Sequence, residues 1–327
     1  MNAETPLLSL ESLNVRFKTE SGVVPAVQDI NLTLNRGEVL GLIGESGSGK
    51  SVTLRSILRL LPERRTNISG RILFDQQDVL KLGAKALSSY RGGDVSMVFQ
   101  EPATSLDPVF SIGKQISEAV RRHTSASRSE ARARALGMLK LVKIPSAESR
   151  LSNFPHEMSG GMRQRAMIAL ALSCEPKVLL ADEPTTALDA TVQIQVILLL
   201  RELQERMGMS TIFVTHDVGV AAEVSDRIAV MYAGRIVETG TAKQVLMSPR
   251  HPYTRGLLGS TVNGAVRGQK INAIPGVPPD LSQLPAGCAF APRCQYRRDE
   301  CTQAVPPLTM QADNRQIACL RVAEISA

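Results

Sequence analysis

The chain has 327 residues, enough for one large domain or two ordinary ones with a buried core. Its hydrophobic fraction of 43% and charged fraction of 21% are those of a folded globular protein, which argues against a disordered chain. The net charge of +7 is compatible with nucleic acid, an anionic membrane surface or nucleotide phosphate as partners, while the 3% aromatic content argues against a base-stacking surface.

The N-terminal residues lack a basic segment followed by a long apolar core, so we expect no secretory signal. No stretch approaches the roughly 18 apolar residues that a membrane span needs. We therefore expect that the chain does not cross a membrane by itself and that any membrane role comes through a partner.

The first hundred residues predict short strands and one helix. Apolar runs indicate strands at 7–17, 27–34 and 38–43, and the periodic segment 51–61 predicts a helix that Pro62 ends. The last of these strands leads directly into a glycine-rich loop.

Residues 101–156 change character and predict a helical insertion. Ser127 and Glu130 have the spacing of a capping box, in which each side chain bonds the backbone at the other's position. They open an Ala/Arg/Leu-rich helix that Pro145 ends.

Residues 157–240 alternate between helices and strands, which predicts an α/β protein with a largely parallel sheet. From about residue 248 onward, Pro and Cys become frequent and the periodicity fades, so we expect a separate small C-terminal module. The predicted helices are 162–173 and 191–207, and the predicted strands are 178–181, 211–214, 228–231 and 235–238.

One glycine-rich segment matches the phosphate-loop pattern G-x-x-x-x-G-K-[ST]. Glycines permit a tight loop whose backbone N–H groups point at phosphate oxygens, the lysine reaches the β- and γ-phosphates, and the serine hydroxyl ligates Mg²⁺ at a helix N-terminus. The sequence therefore predicts ATP and Mg²⁺ as cofactors. The segment is Gly44, Glu45, Ser46, Gly47, Ser48, Gly49, Lys50 and Ser51, with Val52 continuing the site.

Two acids, Asp182 and Glu183, end an apolar strand. Ligands of doubly wound sheets bind at such strand ends, so Asp182 is predicted to hold Mg²⁺ and Glu183 to activate the attacking water. A capping role for the two acids is the alternative. His216 ends the next predicted strand and Gln100 ends the run SMVFQ, which brings both to the same predicted site.

The segment MSGGMRQR, which contains Ser159, Gly160 and Gly161, is similar to the L-S-G-G-Q signature of ABC transporter ATPases, with Met158 and Met162 in place of Leu and Gln. The resemblance implies an ABC-type P-loop NTPase, with a mixed or parallel sheet, a helical insertion and a Cys/Pro-rich C-terminal module. It also implies a head-to-tail dimer in which this signature closes on ATP held by the partner's phosphate loop.

The same resemblance assigns further roles. It implies that Gln100 is a Mg²⁺ ligand and contacts the membrane subunits. It also implies that His216 is a switch histidine that contacts the γ-phosphate. The segment 187–189 becomes a dimer-facing loop. Phe17 stacks on adenine, with core packing as the alternative. The implied Mg²⁺ ligands are Ser51, Gln100 and Asp182, and the implied catalytic pair is Glu183 and His216.

Finer motifs resemble the oligopeptide/dipeptide/nickel importer branch: 99–108 (FQEPATSLDP), the extended signature PHEMSGGMRQR, and 250–258 (RHPYTRGLL). This branch implies a second, related ATPase, two transmembrane permease subunits and an extracytoplasmic solute-binding protein, with no nucleic acid. The chain would sit peripherally on the cytoplasmic face of the inner membrane. The expected domains are an ATPase domain at 1–250, with a helical subdomain at about 101–165, and a module at 251–327.

Four cysteines lie in the C-terminal segment at Cys288, Cys294, Cys301 and Cys319. Their spacing lacks the close pairs that zinc knuckles favour, which leans toward a 4Fe–4S cluster. The family resemblance implies the same cluster, while zinc and unligated thiols remain alternatives. Cys174, in an apolar helix, is expected to fill core space.

Two rival functions are a soluble ABC ATPase not tied to transport and a P-loop kinase. The chain has one cassette and no long heptads, unlike many soluble ABC ATPases, and a kinase would have no use for the Ser-Gly-Gly signature. The sequence does not identify the cargo, because importers of peptides, opines, nickel chelates and glutathione would share these ATPase motifs.

Overall fold

The computed structural model describes residues 5–20, 22–101, 105–185, 188–260 and 274–325. They form two compact units. The first comprises Met1–Asn35, Val39–Leu80 and Val214–Ala327, and the second comprises Arg36–Glu38 and Lys81–Phe213. The predicted domain boundary at residue 250 and the predicted limits of the helical insertion stay predictions.

In chain order the strands are β1 (Leu8–Thr19), β2 (Gly22–Leu34), β3 (Val39–Ile43), β4 (Thr66–Phe74), β5 (Gln77–Asp78), β6 (Val95–Val98), β7 (Val178–Asp182), β8 (Ser210–Thr215), β9 (Arg227–Tyr232), β10 (Arg235–Thr241), β11 (Thr309–Met310) and β12 (Gln316–Ile317). Seven strands match predicted apolar runs, most of them to within three residues, although β2 begins five residues earlier than predicted; β6 overlaps the run SMVFQ, and β4, β5, β11 and β12 were not predicted.

The helices include the predicted capped helix, whose first turn is closed by Ser127 and Glu130 through both capping-box hydrogen bonds. In chain order the α-helices are α1 (Lys50–Ile57), α2 (Ala84–Ser89), α3 (Ile112–His123), α4 (Arg128–Leu141), α5 (Ala147–Arg150), α6 (Gly160–Leu172), α7 (Ala190–Met207), α8 (Val218–Val224), α9 (Ala242–Met247), α10 (Pro252–Gly259) and α11 (Val322–Ile325).

The first unit contains both parallel and antiparallel strand pairs. Strands β2, β1, β4 and β5 follow one another in an antiparallel sheet. Elsewhere in this unit β3 pairs with β9 in parallel, and β9, β10, β12 and β11 continue in antiparallel order. The α/β class is confirmed, with a sheet that is mixed rather than largely parallel.

The second unit combines a parallel strand pair with a group of helices. Strands β6 and β7 run in parallel from the pair Val95 and Val178 to the pair Val98 and Ala181. Every residue of both strands is buried, which explains why their sequences read as continuous apolar runs. Helices α3, α4 and α6 pack against one another.

The core of the first unit joins the strand before the phosphate loop to the C-terminal segment. Ile43 of β3 and Val230 of β9 lie in one buried cluster with Tyr253 and Phe290. The C-terminal aromatic residues therefore share one core with the strand that leads into the loop. In the described part of the chain, no helix has the length and apolar character needed to span a bilayer.

Candidate nucleotide-binding site

The phosphate loop follows β3 and ends where α1 begins, as the sequence predicts. Gly44 and Gly49 have φ values of 153° and 103°, a region that residues with a side chain rarely adopt. A Cβ on Gly44 would lie 2.2 Å from the carbonyl oxygen of Met231, and one on Gly49 would lie 2.5 Å from that of Ala26. The loop packs so closely on neighbouring backbone that these two positions require glycine.

Lys50 begins α1, and its side chain is nearly buried. Its Nζ donates hydrogen bonds to the carbonyl oxygens of Gly44 at 2.8 Å and Glu45 at 2.9 Å. The ammonium group is thus held inside the curve of the loop, where a phosphate group would meet it.

Glu45 makes contacts that the sequence did not suggest. Its backbone N–H donates to the hydroxyl of Tyr253 at 2.8 Å. Its carboxylate forms two hydrogen bonds with the guanidinium of Arg293, at 2.7 and 3.0 Å. The sequence motifs include Tyr253 only as part of the segment 250–258 and do not include Arg293, so neither residue was predicted to touch the loop.

The strand ends of the second unit bring Gln100 and Glu183 together. Because β6 and β7 are parallel and in register, the residues that follow them lie at the same end of the pair. Gln100 Nε2 donates to Glu183 Oε2 at 3.5 Å, while Asp182, the last residue of β7, is 1% exposed. Glu183 has a φ of 46°, an uncommon value for a residue with a side chain and one that is enriched at functional sites.

The signature segment forms the N-terminus of α6. Ser159 is the N-cap, and its Oγ accepts a hydrogen bond from the N–H of Met162 at 3.3 Å. Ser159 and Gly160 are exposed, whereas Met158 is buried, so the Leu-to-Met replacement changes a core contact and leaves the helix start open. A Cβ on Gly161 would lie 2.9 Å from the side chain of Val192, which favours glycine there.

Three further predicted features lie on β1, at the turn after β8 and in the loop before α7. His216 is exposed at the turn after β8, next to Asp217, whose carboxylate caps α8. Phe17 is half-buried on β1, opposite Val24 and Thr66. Of the predicted dimer-facing loop, Leu188 and Asp189 are described, while Ala187 lies outside the described residues, as does part of the segment 99–108.

The four C-terminal cysteines line one small cavity in the first unit. Burial raises the pKa of the Cys319 thiol to about 11, and the charges of Cys288, Cys294 and Cys301 add to that effect. The backbone N–H of Arg321 lies 3.4 Å from the Cys319 sulfur, to which it donates.

The structure does not assemble these side chains into the predicted metal site. Among the described residues, no group of three or more His, Cys, Asp or Glu side chains is placed to hold a metal ion. Cys174 lies apart from the cavity, half-buried just beyond α6 with its sulfur 3.6 Å from the carbonyl oxygen of Ala119.

Comparison with known families gives two matches that together span most of the chain. Residues 27–186 match the ABC transporter family, and residues 237–301 match the oligopeptide/dipeptide transporter C-terminal region. The first match covers the phosphate loop, the signature and the two acids. The second covers Tyr253 and Arg293.

Similar proteins of known name are transport ATPases. The dipeptide transport ATP-binding protein DppD of Bacillus subtilis is 47% identical over 96% of this chain and 94% of its own length. The oligopeptide transport ATP-binding protein OppD of the same organism is 47% identical over 96% of this chain and 88% of its own length.

Solved structures give the same fold for the cassette. The ATP-binding cassette MJ0796, a dimer bound to ADP and Pi, is 28% identical and superimposes with a TM-score of 0.65, covering 72% of this chain and 98% of its own. The cbiO1 protein of Clostridium perfringens is 31% identical, with a TM-score of 0.64, covering 75% of this chain and 92% of its own.

Proposed function

The chain belongs to the ABC transporter ATPase family, and from this premise we propose that it is the ATP-hydrolysing subunit of a peptide importer. The observation that carries the proposal is the phosphate loop, in which Lys50 lies against the backbone of a turn that only glycines can form. The relatives named for dipeptide and oligopeptide transport support the cargo class. Nickel and opine cargoes are the alternatives.

In the first unit, the phosphate loop binds the triphosphate. Backbone N–H groups and the Lys50 ammonium neutralise the β- and γ-phosphates, which the N-terminus of α1 also favours. Ser51 in this unit and Asp182 in the second offer the hard oxygen donors that Mg²⁺ prefers, and family membership assigns both to the metal. Mg²⁺ would neutralise charge on the phosphate oxygens.

In the second unit, Glu183 acts as the base that accepts a proton from the attacking water. The hydrogen bond from Gln100 supports this role, because it restricts the rotation of the carboxylate. His216 is assigned to the γ-phosphate and Phe17 to the adenine on the basis of family membership.

The signature residues serve a second copy or a related ATPase. Ser159 and Gly160 are exposed at a helix N-terminus that favours anions, which suits ATP held by another subunit. The dimeric state of the similar cassette MJ0796 supports this arrangement. We place the chain on the cytoplasmic face of the membrane, with two permease subunits and a solute-binding protein as further partners.

Uptake by a deletion strain tests the proposal. The wild-type chain should restore uptake of dipeptides or longer peptides, whereas Lys50→Ala should bind no ATP and restore none. Lys243→Ala, which removes an exposed lysine on α9, is the matched control and should behave as wild type. ATP hydrolysis without any co-purifying membrane subunit would favour a soluble ABC ATPase, and rescue of nickel or opine uptake alone would change the cargo.

We also propose that the four C-terminal cysteines hold a 4Fe–4S cluster, with zinc as the alternative. The shared cavity and the N–H donor at Cys319 support the proposal, because soft thiolates with backbone hydrogen bonds suit such clusters. If the four cysteines hold this cluster, protein purified without oxygen should contain about four iron atoms per chain. Stoichiometric zinc would establish the alternative, and the absence of both metals would leave the thiols unligated.

A further inference from the structure

Each polar group of Glu45 has a hydrogen-bond partner, although the residue lies within the phosphate-binding loop. Its N–H donates to Tyr253 Oη at 2.8 Å, and its carbonyl oxygen accepts from Lys50 Nζ at 2.9 Å and from the N–H of Ser48 at 3.3 Å. Its carboxylate is bound by Arg293 through Nη1 and Nη2. The backbone of Glu45 is therefore fixed at its amide, at its carbonyl and through its side chain.

Tyr253 and Arg293 are themselves held rigidly. Tyr253 is 0% exposed, and its ring centroid lies 4.4 Å from that of Tyr232 and 5.5 Å from that of Phe290. Arg293 is 8% exposed, donates from Nε to the carbonyl oxygen of Pro275 at 2.9 Å, and donates from Nη1 to Tyr232 Oη at 3.3 Å. Hydrogen bonds to the Glu45 carboxylate raise the pKa of Arg293, so the guanidinium keeps its charge.

An acidic residue inside a loop that receives a triphosphate presents an electrostatic problem. Its negative charge opposes that of the ligand, and its side chain could turn toward the phosphates or toward Lys50. A bidentate guanidinium solves both difficulties, since it neutralises the carboxylate and fixes its orientation. The hydroxyl of Tyr253 fixes the adjoining amide.

Resting on the proposed function, we infer that Tyr253 and Arg293, which we call the Glu45 clamp, are positioning residues for ATP binding. They hold the phosphate loop in its binding shape and cancel the charge of Glu45. The C-terminal segment thereby becomes part of the nucleotide site without touching the nucleotide. If Arg293 had a purely structural role, its replacement would lower the stability of the fold and leave the ATP affinity of the folded protein unchanged.

A double-mutant cycle on the full chain separates these roles. Arg293→Met should raise the Kd for MgATP of the chain, and the KM of the assembled importer, by about ten- to a hundredfold, with kcat nearly unchanged. Because Arg293 acts through Glu45, the double variant Arg293→Met/Glu45→Gln should bind ATP no more weakly than Arg293→Met alone. Additive losses, or a fall in kcat at unchanged KM, would overturn the inference.

Two further variants keep the test decisive. Arg250→Met removes a half-buried arginine of the same unit, paired with Asp313 at 3.2 Å, and should leave ATP affinity unchanged. If Arg293→Met does not fold, Arg293→Lys keeps the charge but loses the bidentate fork, and it should still raise the Kd. A folded Arg293→Lys protein with wild-type affinity would overturn the clamp and leave the proposed function intact. Failure of the wild-type chain to bind ATP would instead overturn the proposed function.

Discussion

The phosphate loop of the first unit and the signature of the second are both anion-binding helix starts, but they are held in different ways. The signature is stabilised locally, by the Ser159 side chain acting on an N–H three residues along the chain. The phosphate loop is stabilised from a distance. Glu45 is bound by Tyr253 and Arg293, which lie 208 and 248 positions later in the sequence.

The difference indicates how each unit should respond to mutation. A site that is stabilised by adjacent residues should be sensitive mainly to substitutions within its own motif. In the second unit, such substitutions should change the rate of ATP turnover. A site that is stabilised by residues distant in sequence should also be sensitive to substitutions outside its motif. In the first unit, such substitutions should change the affinity for ATP. The following predictions test that division, from the largest expected effect on ATP turnover to the smallest.

Glu183→Gln should give the largest loss. The amide keeps the size and hydrogen bonding of the side chain but cannot accept a proton, so kcat should fall by about 10²–10⁴-fold while ATP binding persists. Steady-state ATPase assays and nucleotide-binding measurements on the same preparation check both parts. Near-normal turnover would remove Glu183 from the role of base.

Ser159→Arg should reduce turnover by about 10²–10³-fold at the site that the signature completes, as loss of a preorganised anion donor does. ATP binding to the isolated chain should be unchanged, because the signature serves the partner's nucleotide. Asp189→Asn, at another N-cap of the second unit, is the comparison variant and should have a smaller effect. Loss of ATP binding by isolated Ser159→Arg would show that the signature acts within its own chain.

Tyr253→Phe should weaken binding without slowing chemistry. It leaves the N–H of Glu45 without its acceptor, which costs about 1–3 kcal/mol. If the bound shape of the loop loses this free energy, the KM should rise by roughly 5- to 150-fold. Tyr90→Phe removes a buried hydroxyl from the second unit and is the matched control. An unchanged KM for Tyr253→Phe, with reduced thermal stability, would restrict Tyr253 to packing.

Cys294→Ser should have the smallest effect on the nucleotide. It should abolish any bound iron or zinc and make residues 280–320 more sensitive to protease, while ATP binding through Lys50 survives. Because Arg293 precedes Cys294, we expect a rise in KM that is smaller than that of Arg293→Met. Cys174→Ser, outside the cysteine cavity, should change neither metal content nor KM.

The sequence predicts most of what is local. The apolar runs before Gly44 and Asp182 predicted the strands that carry them, because strands buried on both faces have a distinctive composition. The capping box at Ser127 predicted a helix start to the residue.

The sequence does not predict contacts that join distant segments. The pairing of Glu45 with Arg293 leaves no periodicity, and an arginine beside a cysteine gives no sign of its partner. The antiparallel pairing of β9 with β10 was missed for the same reason, since their apolar runs resemble those of parallel strands. Arg293 directly precedes Cys294, and only the cysteine was predicted to have a functional role.

The separation of Glu45 and Arg293 in the sequence also has a consequence during biosynthesis. Ribosomes add roughly 5–20 residues per second, so the 248 residues between them take about 12–50 s to synthesise. During that interval the nascent chain carries a complete phosphate-loop motif without the residues that shape it. Tight capture of ATP therefore belongs to the last stage of synthesis, and a product truncated before Arg293 would bind nucleotide weakly and compete poorly for it with finished subunits.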